Sequence, residues 1–206
     1  MKLLSLCILT ALILSGCGNS APKEIPPAAP APAAASQSVH AISAESLSLS
    51  GEAERAYGQG DYGKAITLAD EALARDPENY KALSTKGIAT AFSASPDDGA
   101  ALIQKALSIR PDDVQSFYNM AIAQKLGKHY DASISCFQKV LAADPKNTWS
   151  YYGIATNYAD KRDKAQALSY LEKAIALDPT AVKPEARTQD HFQWLHGDTD
   201  FEALVK

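Results

Sequence analysis

The chain has 206 residues, with 20 Lys or Arg against 24 Asp or Glu and 46% hydrophobic content. That length fits one or two ordinary domains, and charges this balanced exclude an acidic or basic disordered tail protein. A formal charge of −4 without a basic stripe excludes non-specific nucleic-acid binding, and three cysteines exclude a multi-bridge disulfide scaffold. Met1-Lys2 gives a short positive start, and Leu3 to Leu14 is a nearly unbroken apolar run. Its length is that of a signal h-region and too short for a permanent membrane span, so residues 1–16 are predicted to be a targeting segment outside the fold.

The run ends in Leu14-Ser15-Gly16-Cys17, which resembles the lipobox of bacterial lipoproteins. The resemblance implies that residues 1–16 are cleaved as a lipoprotein signal peptide. It implies further that Cys17 becomes the first mature residue, carrying a diacylglyceryl thioether and an amide-linked chain of the palmitate type. Two or more acyl chains, at roughly 0.8 kcal/mol per buried methylene, anchor stably where one is marginal. The expected location is the cell membrane or outer membrane, facing the periplasm or the exterior. Gly18 follows Cys17 where Asp would resemble an inner-membrane retention signal, which favours the outer membrane in a two-membrane bacterium. Cleavage removes Lys2 and Cys7, leaving 19 basic against 24 acidic residues. With Cys17 lipidated, Cys136 has no partner for an intramolecular disulfide.

Residues 17–42 hold the lipidated cysteine and a linker. Five of the eleven prolines fall here (Pro22, Pro26, Pro27, Pro30, Pro32), mixed with Ala and Ser. Such a composition buries too little apolar surface to offset chain entropy, so a disordered tether is expected. In polyproline II, at about 3.1 Å per residue, it reaches up to about 75 Å.

From Ser46 onward the chain repeats. Pro77, Pro111, Pro145 and Pro179 are spaced 34 residues apart, and each closes an apolar-periodic run. The residue before proline is pushed out of the α region, so each marks a helix end. Asn79, Asp113 and Asn147 follow as N-cap residues for the next helix. A fixed period of 34 with this punctuation fits a solenoid of helix pairs. With Ser46 as position 1, position 8 is Ala53, Gly87, Ala121 and Ala155, and position 20 is Ala65, Gly99, Ser133 and Ala167. Position 24 is Ala69, Ile103, Phe137 and Leu171, and position 27 is Ala72, Ala106, Val140 and Ala174.

These slots resemble the tetratricopeptide repeat (TPR). The resemblance covers residues 46–79, 80–113, 114–147 and 148–181, within a domain spanning 43–181. The fold class it implies is all-α: a right-handed α-solenoid of four TPR helix pairs with a C-terminal helical cap. There are departures. Position 17 is Tyr62 and Tyr130 in two repeats but Pro96 and Lys164 in the others, and position 7 is Glu52 and Lys86 in the first two. An ion pair between Glu52 and Lys86 and two solvated side chains are both open readings. After Ala181 the period breaks, and residues 182–206 carry Phe192-Gln193-Trp194-Leu195 and Phe201-Glu202-Ala203-Leu204. The Phe-x-x-Leu spacing places both apolar residues on one helix face. These units resemble the tails that close bacterial TPR proteins, and a stack needs such a cap for solubility. A docking peptide for another copy is the alternative.

No Ser/His/Asp set, phosphate loop or Cys-x-x-Cys pair appears, so no enzyme activity, cofactor or metal is expected. His191 and His196, five residues apart, read as solvated surface histidines, and Cys136 as a half-buried packing residue. Function is then expected from surface. Family precedent places ligand contacts at positions 2, 5, 6, 9, 12 and 13 of the groove. Positions 2, 5, 6 and 9 give Lys81, Ser84, Thr85 and Ile88, then Gln115, Tyr118, Asn119 and Ile122, then Trp149, Tyr152, Gly153 and Thr156. The candidate peptide-binding residues are Lys81, Ser84, Gln115, Tyr118, Asn119, Trp149, Tyr152 and Thr156. The family's basic set for an acidic chaperone tail is missing, which disfavours that ligand. Tyr118, Trp149 and Tyr152 offer large contact area with a polar handle, or else pack between helices. The leading expectation is a membrane-anchored scaffold whose groove binds a peptide or helix of an envelope protein. A non-catalytic regulator of an envelope enzyme, or small-molecule or glycan binding by the aromatic groove, are the alternatives.

Overall fold

The computed structural model describes residues 40–206. The expectations for residues 1–16, Cys17 and the linker up to residue 39 lie outside the described residues. Eight helices form four antiparallel pairs: α1 (Ala44–Gly58) with α2 (Tyr62–Arg75), α3 (Tyr80–Ser93) with α4 (Pro96–Ile109), α5 (Val114–Leu126) with α6 (Tyr130–Ala143), and α7 (Thr148–Asp160) with α8 (Lys164–Leu177). They are followed by α9 (Pro179–Thr188), a 3-10 segment over Asp190–Leu195 and α10 (Thr199–Val205). Among the described residues there is no strand, and no helix is long and apolar enough to cross a membrane.

The period of 34 emerges from capping and close packing. Asn79, Asp113 and Asn147 are the N-caps of α3, α5 and α7, each accepting from the backbone amide three residues on. Asn79 also ties α3 to α1, its side-chain amide donating to the carbonyl and hydroxyl oxygens of Ser46 at 3.2 and 2.7 Å. All four residues at positions 8, 20, 24 and 27 in every repeat are buried. Small side chains at positions 8 and 20 let paired helices approach, and position 24 fills the gap left behind. The first helices pack in a row, α1 on α3, α3 on α5 and α5 on α7, while each second helix also contacts the first helix of the next repeat. The row of first helices therefore makes one continuous inner layer.

Core content changes along the stack. The first repeat is held by Ala53, Ala69, Ala72 and Ala82, while the last is held by Leu171, Phe192, Leu195 and Phe201. Phe192, Leu195 and Phe201 are all buried, so the Phe-x-x-Leu units do close the stack. The first of them is a 3-10 segment set against α7 and α9. His40 falls within the 17–42 segment expected to be a disordered linker but instead lies against the first repeat. Its Nε2 donates to the Asp76 carboxylate at 2.9 Å, and the Ser43 amide donates to the same group at 2.9 Å. Those bonds, the Ser43 amide foremost, hold the Asp76 carboxyl below its usual range.

The Glu52–Lys86 pair does not form. Lys86 instead donates to Asp70 at 2.6 Å, because α3 lies directly on α2 and brings that carboxylate within reach.

Candidate functional site

Two depressions of the inner face hold the candidate residues between them, and a smaller one of about 150 Å³ shares Gln115 with the first and Tyr118 and Trp149 with the second. The N-terminal one, of about 240 Å³, is lined by Glu54, Tyr57, Lys81, Ser84, Gln115 and Asn119 among others. The larger one, of about 630 Å³, runs from Phe92 at the end of repeat two over repeats three and four to the cap. The eight candidate residues divide evenly between them. Lys81, Ser84, Gln115 and Asn119 fall in the first, and Tyr118, Trp149, Tyr152 and Thr156 in the second.

Placement does not make these residues equally available. Asn119 donates to the Ser84 hydroxyl at 3.0 Å and accepts from Gln115 at 3.0 Å, and both Ser84 and Asn119 are buried. Those two are joined to each other and serve the seam between α3 and α5. Thr156 is buried, donates to the Gly153 carbonyl at 2.9 Å and accepts from Lys125. Lys81, Gln115 and Trp149 face solvent, and Tyr118 is half-buried.

The larger groove has an apolar rim and an aromatic floor. Trp149, in the first turn of α7, is 43% exposed; Phe92, at the end of α3, is 42%, and Leu126, at the end of α5, is 39%. Phe92 is held in place by a stacked Tyr62 ring at 5.2 Å. Beneath them, Tyr118 meets Phe137 edge-on at 5.6 Å, and Trp149 meets Tyr152 edge-on at 5.6 Å. Gly153 is required here, since a Cβ at that position would stand 2.4 Å from the Phe137 ring. The aromatics therefore answer to both readings of the sequence. Trp149 stands out into the groove, Tyr152 is 8% exposed and packs, and Tyr118 lies between.

A polar cluster closes the cap end. The Lys125 ammonium reaches Thr156, lies 3.2 Å from His191 Nε2 and 4.0 Å from Asp160. His191 Nδ1 lies 2.7 Å from Asp160 Oδ1. A carboxylate only accepts, so Nδ1 carries the proton and Nε2 accepts from the lysine. His191 is thus half-buried and bonded on both nitrogens, correcting its reading as a solvated surface residue. Three segments distant in sequence meet here, which no local pattern reveals. His196 does stay exposed, stacked on Phe201 at 5.6 Å. Cys136 is half-buried and burial pushes its thiol up.

Burial draws the Lys125 ammonium down to about 8, against the opposing pull of Asp160. Burial likewise pushes the hydroxyls of Tyr118 and Tyr152 up, aided at Tyr152 by the charge of Glu185. Both phenols are neutral donors at physiological pH. The sign for Lys125 follows from linkage: between about 8 and its ordinary value near 10.5 the folded state binds fewer protons than the unfolded chain, so stability rises with pH through that window. In an NMR titration of the lysine side chains, Lys125 is expected to titrate near 8, while Lys161 and Lys164, bonded to carboxylates, titrate above the usual lysine value. A Lys125 midpoint above 10 would contradict its burial in the cluster.

Phe92, Lys125, Leu126 and Asp160 occupy positions 12 and 13, slots the resemblance designates for contact. Glu185, Gln189 and His191 come from the cap and also line the groove.

A tetratricopeptide repeat model matches residues 51–114, and a second matches residues 114–147 and 150–180. No curated protein matches the chain in sequence. Among solved structures, residues 41 to the end of MamA from Desulfovibrio magneticus RS-1 are 19% identical, covering 80% of this chain and 92% of that one, with a TM-score of 0.62. YrrB, described as a TPR protein with an unusual peptide-binding site, is 21% identical, covers 70% of this chain and 75% of its own, and has a TM-score of 0.58. Pseudomonas aeruginosa pilF is 16% identical, covers 78% and 73%, and has a TM-score of 0.63. Identities this low show the shared fold alone.

Proposed function

The chain belongs to the tetratricopeptide repeat family, and from that premise we propose that it is a membrane-anchored scaffold that holds a peptide or helix of an envelope protein in its C-terminal groove. The observation that carries this reading is the convergence of Phe92, Leu126 and Trp149 on one groove of about 630 Å³. Large apolar side chains scattered singly on a surface need no explanation, but three that share one concave site mark an interaction surface. Trp149 and the tyrosines around it are residue types that dominate binding energy in protein interfaces. The peptide-binding site ascribed to YrrB supports the same use of the fold.

The anchor rests on Leu14-Ser15-Gly16-Cys17 and the apolar run before it. In this reading Cys17 carries the lipid, and the Pro/Ala-rich segment sets the reach from the membrane. One experiment addresses both parts. The full chain is expressed in a bacterium, fractionated, cross-linked and captured. The native chain is expected in the membrane fraction with a stoichiometric protein partner. Cys17→Ser moves it to the soluble fraction, and Trp149→Ala reduces partner recovery at least tenfold. Retention of Cys17→Ser in the membrane overturns the anchor. Undiminished capture by Trp149→Ala, or a groove that takes only purified glycan, overturns the groove.

A further inference from the structure

Around Tyr152 the groove holds a sealed, unpartnered hydroxyl and a carboxylate without an ion pair. Tyr152 is 8% exposed and its ring lines the groove, while its hydroxyl is sealed from solvent and has no hydrogen-bond partner among the described residues. Such a group costs about 1–3 kcal/mol when left unmade. Beside it in the groove wall stands Glu185 of α9, half-buried, whose carboxylate accepts only from the Gln189 side chain at 2.6 Å. Glu185 forms no ion pair among the described residues.

The groove is lined by two lysines and two carboxylates, and neither lysine forms an ion pair with Glu185. Lys125 is engaged by Thr156, His191 and Asp160, and Asp160 is engaged in return. Lys128 sits exposed on the turn after α5. Meanwhile the Trp149 ring stands edge-on to Tyr152 at 5.6 Å, with somewhat under half of its own surface open. An aromatic face attracts a cation through its quadrupole, more strongly where water is excluded.

We propose that the groove takes a partner segment in which a single arginine or lysine is flanked by apolar side chains, its cation seated against Trp149, Tyr152 and Glu185. The apolar flanks cover Phe92 and Leu126. The cation neutralises Glu185 and lies against the exposed face of Trp149. Arginine suits the place better, because its planar fork supplies several donors and stacks on aromatic faces. This inference rests on the groove reading above and adds the chemistry of the occupant.

The test selects displayed random peptides on the full chain, then measures affinities of a selected peptide and of its Arg→Gln analogue. Enriched peptides are expected to carry one basic residue between Leu, Phe or Trp. Glu185→Gln keeps the bond to Gln189 and should weaken the basic peptide about tenfold, with little effect on the Gln analogue. Tyr152→Phe removes the sealed, unpartnered hydroxyl and should raise thermal stability while leaving the affinity of the basic peptide unchanged. Enrichment of acidic or uncharged peptides, or equal binding by Glu185→Gln, overturns the proposal while sensitivity to Trp149→Ala keeps the groove reading intact. No enrichment at all, or binding indifferent to Trp149→Ala, overturns the groove reading and this proposal with it.

Discussion

Replacing Phe192 by Ala is expected to cost about 3–5 kcal/mol, the range for emptying a fully buried phenylalanine site. Phe192 has no exposed surface and sits between Tyr152, at 5.9 Å, and Phe201, at 5.8 Å. Its removal leaves a cavity lined by the last repeat and by both halves of the cap. For a domain of this size each kcal/mol lowers the midpoint by about 2–4 °C, so a drop of roughly 6–20 °C is expected in a thermal melt. The effect should reach the groove, because Tyr152 is the floor residue that Phe192 backs. Trp194, whose indole N–H donates to the Ala159 carbonyl at 3.1 Å, reports the same event by fluorescence. A midpoint within 2 °C of the native chain would show that the cap is not integral to the stack.

Gly99→Ala is expected to destabilise by about 1–3 kcal/mol, although alanine is the better helix former by up to about 1 kcal/mol. A Cβ at Gly99 would lie 2.5 Å from the Gly87 carbonyl oxygen and 2.7 Å from the backbone nitrogen of Ala91. Those atoms are backbone and cannot rotate away, so α3 and α4 must separate. Gly63→Ala is the control with the opposite sign. Its Cβ would meet nothing closer than Asp61 at 4.0 Å, on an exposed face of α2. There the helix preference acts alone and the substitution should stabilise. Equal changes in the two variants, read from denaturant midpoints, would contradict close approach at positions 8 and 20.

Those two positions also show why so much of the fold is legible in the sequence. A helix pair that repeats every 34 residues must repeat its close contacts, its caps and its gap-fillers, so Gly87 and Gly99 stand in register with Ala53, Ala65, Ala121 and Ala167. The candidate site is legible in part, for a different reason. Slot numbers place Trp149, Tyr152 and Tyr118 on the inner face, but they do not say which side chains neighbours will bury. Ser84 and Asn119 were expected in the groove and do line it, yet they bond one another across a helix seam. Phe92 and Leu126 end their helices at a slot the family designates, and their exposure follows from the lack of an overlying element. The Lys125–Asp160–His191 cluster was out of reach, since His191 belongs to the non-repeating cap and enters the site only through tertiary packing. Lys86 makes the same point, because its choice of Asp70 over Glu52 depends on how α3 lies on α2.

The central claim, that the inner face of repeats two to four is where a protein partner docks, is tested most directly by cross-linking in cells. A photoreactive residue is placed either at Leu126, on the groove rim, or at Gln138, exposed on the second helix α6. The account predicts a discrete protein adduct from Leu126, absent when Trp149→Ala is combined with it, and none from Gln138. Adducts from Gln138 with none from Leu126 would contradict it.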